Sequence, residues 1–244
     1  MTGSTTAMIA GEMGQPGPLL KICGLTQHDQ AAAIAALGVD AIGVIGVASS
    51  PRHVVPGLRA GLFEAVRQVS PRCERVLVVA DPQDEELNVL DPRFGHTLVQ
   101  LHGGESPERC RELRERSGCP VWKALRLRRP EDLAQLEAYA GSVDALLLDA
   151  WMPDQLGGTG RSIPLDWLLS LRTTLPWWLA GGIDARRVPE VLNRLAPTGL
   201  DVSSSVEHAP GDKDLGQVRQ LVAAVRGWRP QPGGDRGEDQ GSVS

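Results

Sequence analysis

The segment Lys21-Ile22-Cys23-Gly24-Leu25-Thr26 carries a thiol at the end of a short apolar run, just before a glycine turn and a helical pattern. Far downstream, Leu146-Leu147-Leu148-Asp149 brings a carboxylate to the end of another apolar run. A thiol and a carboxyl delivered by two strand ends of a closed β/α repeat can act as general base and general acid across a shared mouth. Read singly, each has a plainer meaning. Cysteine is among the most buried residue types, and a strand-end aspartate is often a helix cap. Thr26 is expected to cap the following helix, with Asp29 three residues on as its reciprocal partner.

Strand side chains alternate between faces, so residues two apart point the same way. Lys21 therefore shares a face with Cys23, and a cation there would favour the thiolate. A thiol of ordinary pKa is only about 3% ionised at pH 7, and a shift to ~7 would raise that roughly fifteenfold. Gln100 and His102 share a face in the fourth strand, Leu147 and Asp149 in the sixth, and Asp201 and Ser203 in the eighth. His102 alone would read as a hydrogen-bonded wall residue. Asp149 has the opposite need to Cys23, because a general acid must hold its proton, and desolvation would supply that. Three glycine- or serine-rich segments follow late strands: Gly157-Gly158-Thr159-Gly160, Ala180-Gly181-Gly182 and Asp201-Val202-Ser203-Ser204-Ser205. Backbone N–H groups and hydroxyls after the seventh and eighth strands are where barrels build phosphate sites, although any one such loop can be no more than a tight turn. Ser50-Pro51-Arg52 offers a guanidinium fork for a carboxylate or phosphate.

The elements that must position these groups are legible as apolar runs at 19–22, 41–47, 75–79, 97–101, 121–125, 145–148, 177–180 and 199–202. Helical patterns separate them. Ser106-Pro107 and Pro130 mark helix starts, Asp184 can cap a helix presenting Val188, Val191, Leu192 and Leu195, and Asp84–Leu90 is short and poorly patterned. Eight consecutive β/α units predict an α/β fold, a single (β/α)8 TIM barrel over residues 19–228 with a parallel eight-stranded core. Residues 1–18 read as a flexible N-terminal extension and 229–244 as a disordered C-terminal tail.

The charge, 25 Lys+Arg against 30 Asp+Glu, lacks the basic excess of a nucleic-acid binder. No apolar run approaches the ~18 residues needed to span a bilayer. Cys23, Cys73, Cys110 and Cys119 form no C-x-x-C pair, which favours reduced thiols and a cytoplasmic setting, and the histidines add no metal-ligand spacing.

The ordered set of these motifs resembles the phosphoribosylanthranilate isomerase family from about Leu19 to Arg226. The resemblance covers Lys21–Thr26, Ser50-Pro51-Arg52, Val99-Gln100-Leu101-His102-Gly103, Leu146–Asp149, Gly157–Gly160, Asp166-Trp167, Leu179–Gly182, Asp201–Ser204, Val206-Glu207 and Pro210-Gly211-Asp212-Lys213-Asp214. It implies an Amadori rearrangement of a phosphoribosyl-anthranilate in tryptophan biosynthesis, with Asp149 as general acid and Cys23 as general base. It further implies that Lys21, Arg52, Gln100, His102 and Asp201 contact substrate, with Arg52 on the anthranilate carboxylate. Gly181, Gly182, Ser203 and Ser204 would hold the phosphate. No metal and no cofactor are implied, the partner being the small-molecule substrate, with no nucleic acid, no membrane, and a monomer or homodimer as the assembly.

Four features depart from the family pattern. Gly43–Ser49 lacks an aromatic, Val78-Val79-Ala80-Asp81 stands where Phe-Val-Asn is common, the third helix is short, and Ser205 replaces a glycine. Serine would be strained there if the backbone required a positive φ. Two alternatives remain at this stage. One is a phosphosugar-binding barrel without turnover. The other is the related histidine-pathway aminoimidazole ribotide isomerase, whose first strand carries an aspartate in place of Cys23.

Overall fold

The computed structural model describes residues 17–150 and 162–229. Its strands are β1 (Leu19–Cys23), β2 (Ala41–Ile45), β3 (Glu74–Val79), β4 (Leu98–Leu101), β5 (Val121–Leu127), β6 (Ala145–Ala150), β7 (Trp177–Ala180) and β8 (Gly199–Val202). They pair in parallel in sequence order, and β8 returns to β1 with Lys21 opposite Asp201, so the eight strands close into a barrel. A short antiparallel hairpin, β9 (Glu207–Ala209) and β10 (Asp212–Lys213), follows β8. The (β/α)8 expectation holds. At the strand boundaries β5 and β6 each run two residues longer than their apolar stretches suggest, and β2 ends two residues sooner.

Strands buried on both faces read as nearly continuous apolar runs, and alternation then sorts them into two layers. Ala41, Val76, Val78, Leu98, Trp122, Ala124, Ala145, Leu147, Trp178 and Ala180 pack with Cys23 inside the barrel. The intervening residues, among them Ile22, Ile42, Leu77, Val99, Leu146, Leu148 and Leu200, pack outward against the helices. Those helices are α1 (His28–Ala36), α2 (Pro56–Val69), α3 (Pro107–Ser117), α4 (Leu165–Leu168), α5 (Val188–Arg194) and α6 (Leu215–Gly227). The start of α3 is built as its sequence predicts, with the Ser106 hydroxyl accepting from Arg109 N–H at 3.2 Å and Pro107 in the first turn. Asp184 accepts from the N–H groups of Arg186 and Arg187 just ahead of α5. Among the described residues no helix is long and apolar enough to cross a membrane.

Two local expectations fail for identifiable reasons. Thr26 does not cap α1. Its hydroxyl donates to the Gly211 carbonyl at 2.7 Å, and the helix starts after Gln27 without a side-chain cap, so a contact to the β9–β10 turn outcompetes the local one. The segment Pro130–Tyr139 winds as a 3-10 helix rather than an α-helix. Its core contacts Leu133, Leu136 and Tyr139 are spaced by three, which places them on one face of a helix with three residues per turn. The third unit is likewise 3-10, over Asp84–Leu90, in keeping with its weak pattern.

The floor of the barrel is set by two indoles. Trp122 and Trp178 stack with ring centroids 4.6 Å apart. They fit because the adjacent position on β8 is Gly199, where a Cβ would lie 2.4 Å from the Trp178 ring. Gly199→Ala should therefore overpack the interior and cost about 1–3 kcal/mol. Urea unfolding of the variant checks this, and a midpoint equal to wild type would contradict it.

Candidate active site

The strand ends enclose a pocket with a cavity volume of about 60 Å³ that opens to solvent. Its lining includes Cys23 from β1, Arg52 from the loop after β2, Gln100 and His102 from β4 and its edge, and Asp149 from β6. Gly181 and Gly182 follow β7, while Asp201 and the Ser203–Ser205 run come from β8 and its loop. The structure thus gathers in one place ten of the eleven site residues expected from sequence. The eleventh, Lys21, lies beneath. The Gly157–Gly160 motif falls outside the described residues.

Lys21 is fully buried and donates to Asp201 Oδ1 at 2.8 Å across the β1–β8 seam. It does not line the pocket, and its ammonium is committed to the carboxylate. Burial pulls its pKa down, but Asp201 and the nearby thiol outweigh that and leave it above the ordinary lysine value.

Cys23 corrects one expectation. Its pKa is raised, not lowered: burial pushes the thiol up, Lys21 and Lys213 pull it down, and Asp201 pushes it up again. Lys21 cannot win this contest because its charge is shared with Asp201. The resting protein therefore holds a neutral thiol. The thiol also needs Gly43 opposite it on β2, since a Cβ there would sit 2.6 Å from Sγ.

Asp149 behaves as a general acid requires. Burial raises its carboxyl to about 7, opposed by the Ala150 N–H donated to Oδ1 at 2.8 Å and reinforced by Asp201. His102 Nε2 lies 3.8 Å from Asp149 Oδ2. The imidazole is driven down to about 3, first by burial and then by the charges of Lys123, Lys21 and Arg126, so it is neutral at working pH. With the Gln100 amide Nε2 at 3.0 Å from Nδ1, the ring hydrogen belongs on Nε2. His102 Nε2, Gln100 Oε1 and Ser203 Oγ are buried without a partner among the described residues.

Arg52 is on the pocket wall, 6% exposed, and its Nε and Nη2 fork onto Glu207 with contacts of 2.6–3.1 Å. Glu207 is pushed up by burial but ends below its ordinary value because Arg52 and Lys213 both bond it. Ser205 is not strained. Asp81 is the one described non-glycine residue with positive φ, and the Ser205 hydroxyl donates to the Ile183 carbonyl.

Three charged residues were not assigned a role by sequence reasoning. Arg126 shares the inward face of β5 with Trp122 and Ala124, stands opposite Asp149 in register, and acts on both Asp149 and His102. The alternation that places Gln100 and His102 on one face places Arg126 with Trp122 and Ala124 once the strand is carried one residue past Leu125. Glu207 and Lys213 belong to motifs whose spacing alone carries no chemistry, and only the hairpin brings them to the site.

Comparison with known proteins agrees with this geometry. Residues 20–224 match the family model described as N-(5'phosphoribosyl)anthranilate (PRA) isomerase. The N-(5'-phosphoribosyl)anthranilate isomerase of Rippkaea orientalis is 44% identical over 208 residues, covering 85% of this chain and 95% of its own. The crystal structure of phosphoribosyl anthranilate isomerase from Thermus thermophilus superposes with a TM-score of 0.71 at 34% identity, covering 86% of this chain and all (100%) of that one. A phosphoribosyl anthranilate isomerase in complex with reduced 1-(o-carboxyphenylamino)-1-deoxyribulose 5-phosphate gives a TM-score of 0.71 at 27% identity, with coverage of 86% and 100%.

The Lys21–Asp201 pair makes a stability test. Lys21→Met should cost about 3 kcal/mol, the low end for breaking a buried pair, because Asp201 touches the pocket. Adding Asp201→Asn should recover most of that loss, as measured by a double-mutant cycle of urea unfolding. Simple additivity of the two losses would contradict the coupling.

Proposed function

The chain belongs to the N-(5'-phosphoribosyl)anthranilate isomerase family, and on that premise we propose that Asp149 and Cys23 are its general acid and general base. Its function is the isomerisation of N-(5'-phosphoribosyl)anthranilate in tryptophan biosynthesis. The observation that carries the residue assignment is the pairing, in one pocket, of a thiol with a carboxyl that burial keeps protonated up to about 7.

In the proposed sequence, the Asp149 carboxyl gives its proton to the ribose ring oxygen. The C1–O bond breaks, and the anthranilate nitrogen lone pair forms the C1=N bond of an iminium. Cys23, its own proton released to the solvent at the pocket mouth, takes the C2 proton as thiolate, and the C–H electrons form C1=C2 while the C=N pair returns to nitrogen. The resulting enolamine becomes the 2-ketone when its C2 hydroxyl loses a proton and C1 gains one. The order resolves the problem set by a raised thiol pKa. The iminium charge appears beside Cys23 only after ring opening, where it both acidifies C2–H and favours the thiolate.

Substrate placement follows from charge and from the ligand bound by the relative, which carries a phosphate, hydroxyls and a carboxylate. Gly181, Gly182, Ser203 and Ser204 offer N–H and hydroxyl donors to the phosphate. Asp201 accepts from sugar hydroxyls, with Lys21 acting through it. Arg52 presents its guanidinium to the carboxylate, and the unpartnered atoms of Gln100 and His102 face the reacting sugar near Asp149. With Asp149 protonated, Lys21, Arg52, Arg126 and Lys213 outnumber Asp201 and Glu207, a positive balance suited to an anionic substrate. A reducing, cytoplasmic compartment fits four buried cysteines that are all free.

Cys23→Ser and Asp149→Asn should each lower kcat by about 10²–10⁴-fold in a fluorescence assay of substrate generated in situ. Retained turnover in either would reject that residue's role. Because Asp149 must be protonated, kcat/KM should fall as pH rises through about 7. Stability has the same sign. An unfolded aspartate ionises near ~4, so between there and about 7 the unfolded chain binds fewer protons than the native one, and stability declines as pH rises. Asp149→Asn removes that decline, and the inactive variant should melt above wild type at pH 8 and near it at pH 4.

A further inference from the structure

The β9–β10 hairpin ends in a cation with almost no access to solvent. Lys213 is 2% exposed, and its Nζ donates to acceptors in three segments: the Cys23 carbonyl at 2.6 Å, the Ser203 carbonyl at 3.2 Å and Glu207 Oε1 at 2.6 Å. Glu207 also accepts from Gly211 N–H at 3.1 Å and forks Arg52. The hairpin is itself fastened to the first β/α unit. Thr26 bonds the Gly211 carbonyl, and Gln30 donates to Asp212 Oδ1 at 2.7 Å while accepting from Lys213 N–H at 2.8 Å. Burying a charged pair seldom gains stability over an apolar replacement of the same volume, so the arrangement calls for another reason.

We propose that Lys213, held in place by Glu207, is a positioning residue for the isomerisation. Its single ammonium ties the backbone of the thiol residue to the backbone of the phosphate loop and fixes a positive charge behind Cys23. Four segments that must stay in register for turnover meet at this point: the base, the phosphate loop, the Arg52 wall and the hairpin. A loss of about 1 Å in such a registration can cost on the order of 10²-fold in rate. The charged groups facing the thiol are Lys21 from its own strand, Asp201 from β8 and Lys213 from β10, while β2 contributes only Gly43. Lys21 is offset by Asp201, which acts on the thiol with the opposite sign. Glu207 divides its charge between Lys213 and Arg52. Lys213 thus adds to Lys21 a second cation that lowers the thiol, and its removal should move the thiol further up.

This inference rests on Cys23 being the base, and the test separates the two. Lys213→Met fills the volume of the stem, and Glu207 keeps Arg52 and Gly211 N–H, so the variant retains partners for the remaining charge. Lys213→Gln, uncharged but able to donate to one carbonyl, is measured beside it. The readouts are the pH profile of Cys23 alkylation by iodoacetamide, followed by peptide mass mapping, together with kcat, KM and competitive inhibition by inorganic phosphate. The expected result is an alkylation profile moved up by about one pH unit, kcat reduced roughly 10–100-fold, and weaker phosphate inhibition. Folded variants with a wild-type alkylation profile and unchanged phosphate inhibition, differing only in melting temperature, would overturn the inference and leave Lys213 a structural residue. A fully active Cys23→Ser would instead overturn the base assignment, and this inference with it.

Discussion

The buried ion pair between Lys21 and Asp201 is the constraint on which the rest of this site depends. It spans the seam where β8 closes onto β1, at the point where the interior changes from apolar packing to a polar mouth. Because the two charges nearly cancel, the residues above them feel burial more than any single field. The thiol is raised although a lysine stands two residues away, and the Asp149 carboxyl is raised with help from Asp201. His102 is pushed toward its neutral form by Lys21 among others. One pair thus closes the barrel and acts on three groups whose protonation burial chiefly sets.

The consequence is a site that stores its acid and base in uncharged form. Desolvation favours neutrality for carboxyl and thiol alike, which suits the acid and opposes the base. The chemistry reconciles them through sequence, since donation of the Asp149 proton opens the ring and creates the iminium beside the thiol. Around this pair the fixed charges sit at the edges: Arg52 and Glu207 on one wall, Lys213 beneath the β1 end, and Arg126 next to Asp149 in the sheet. The hairpin couples two of these edges, which is why a segment outside the eight-unit repeat belongs to the site.

Much of this was legible in the residues. Eight apolar runs, their order and the alternation within them place Cys23, Gln100, His102, Asp149, Asp201 and Ser203 at one end of one barrel. Alternation is a local property that survives folding, so it transfers to the structure intact. What failed depends on distant parts of the chain. Thr26 was assigned to its own helix but bonds Gly211 across the site, and Lys21 was assigned to the thiol but is claimed by Asp201 from β8. The thiol shifts up and not down because the extent of burial is a property of the closed barrel, not of a hexapeptide. At Ser205 the backbone does not take the positive φ that would strain a serine, a conformation residue type alone does not reveal. Arg126 lies one residue past the apolar run of the fifth strand, where a charged side chain interrupts the pattern just as it enters the mouth.

The most direct measurement is an infrared difference titration of the free enzyme against its Asp149→Asn variant, following the protonated carboxyl C=O band. A single band that disappears with a midpoint near 7 is expected if burial holds Asp149 as a neutral acid. A carboxylate already ionised at pH 5, titrating near the ordinary aspartate value of ~4, would contradict the assignment of Asp149 as the stored proton of this site.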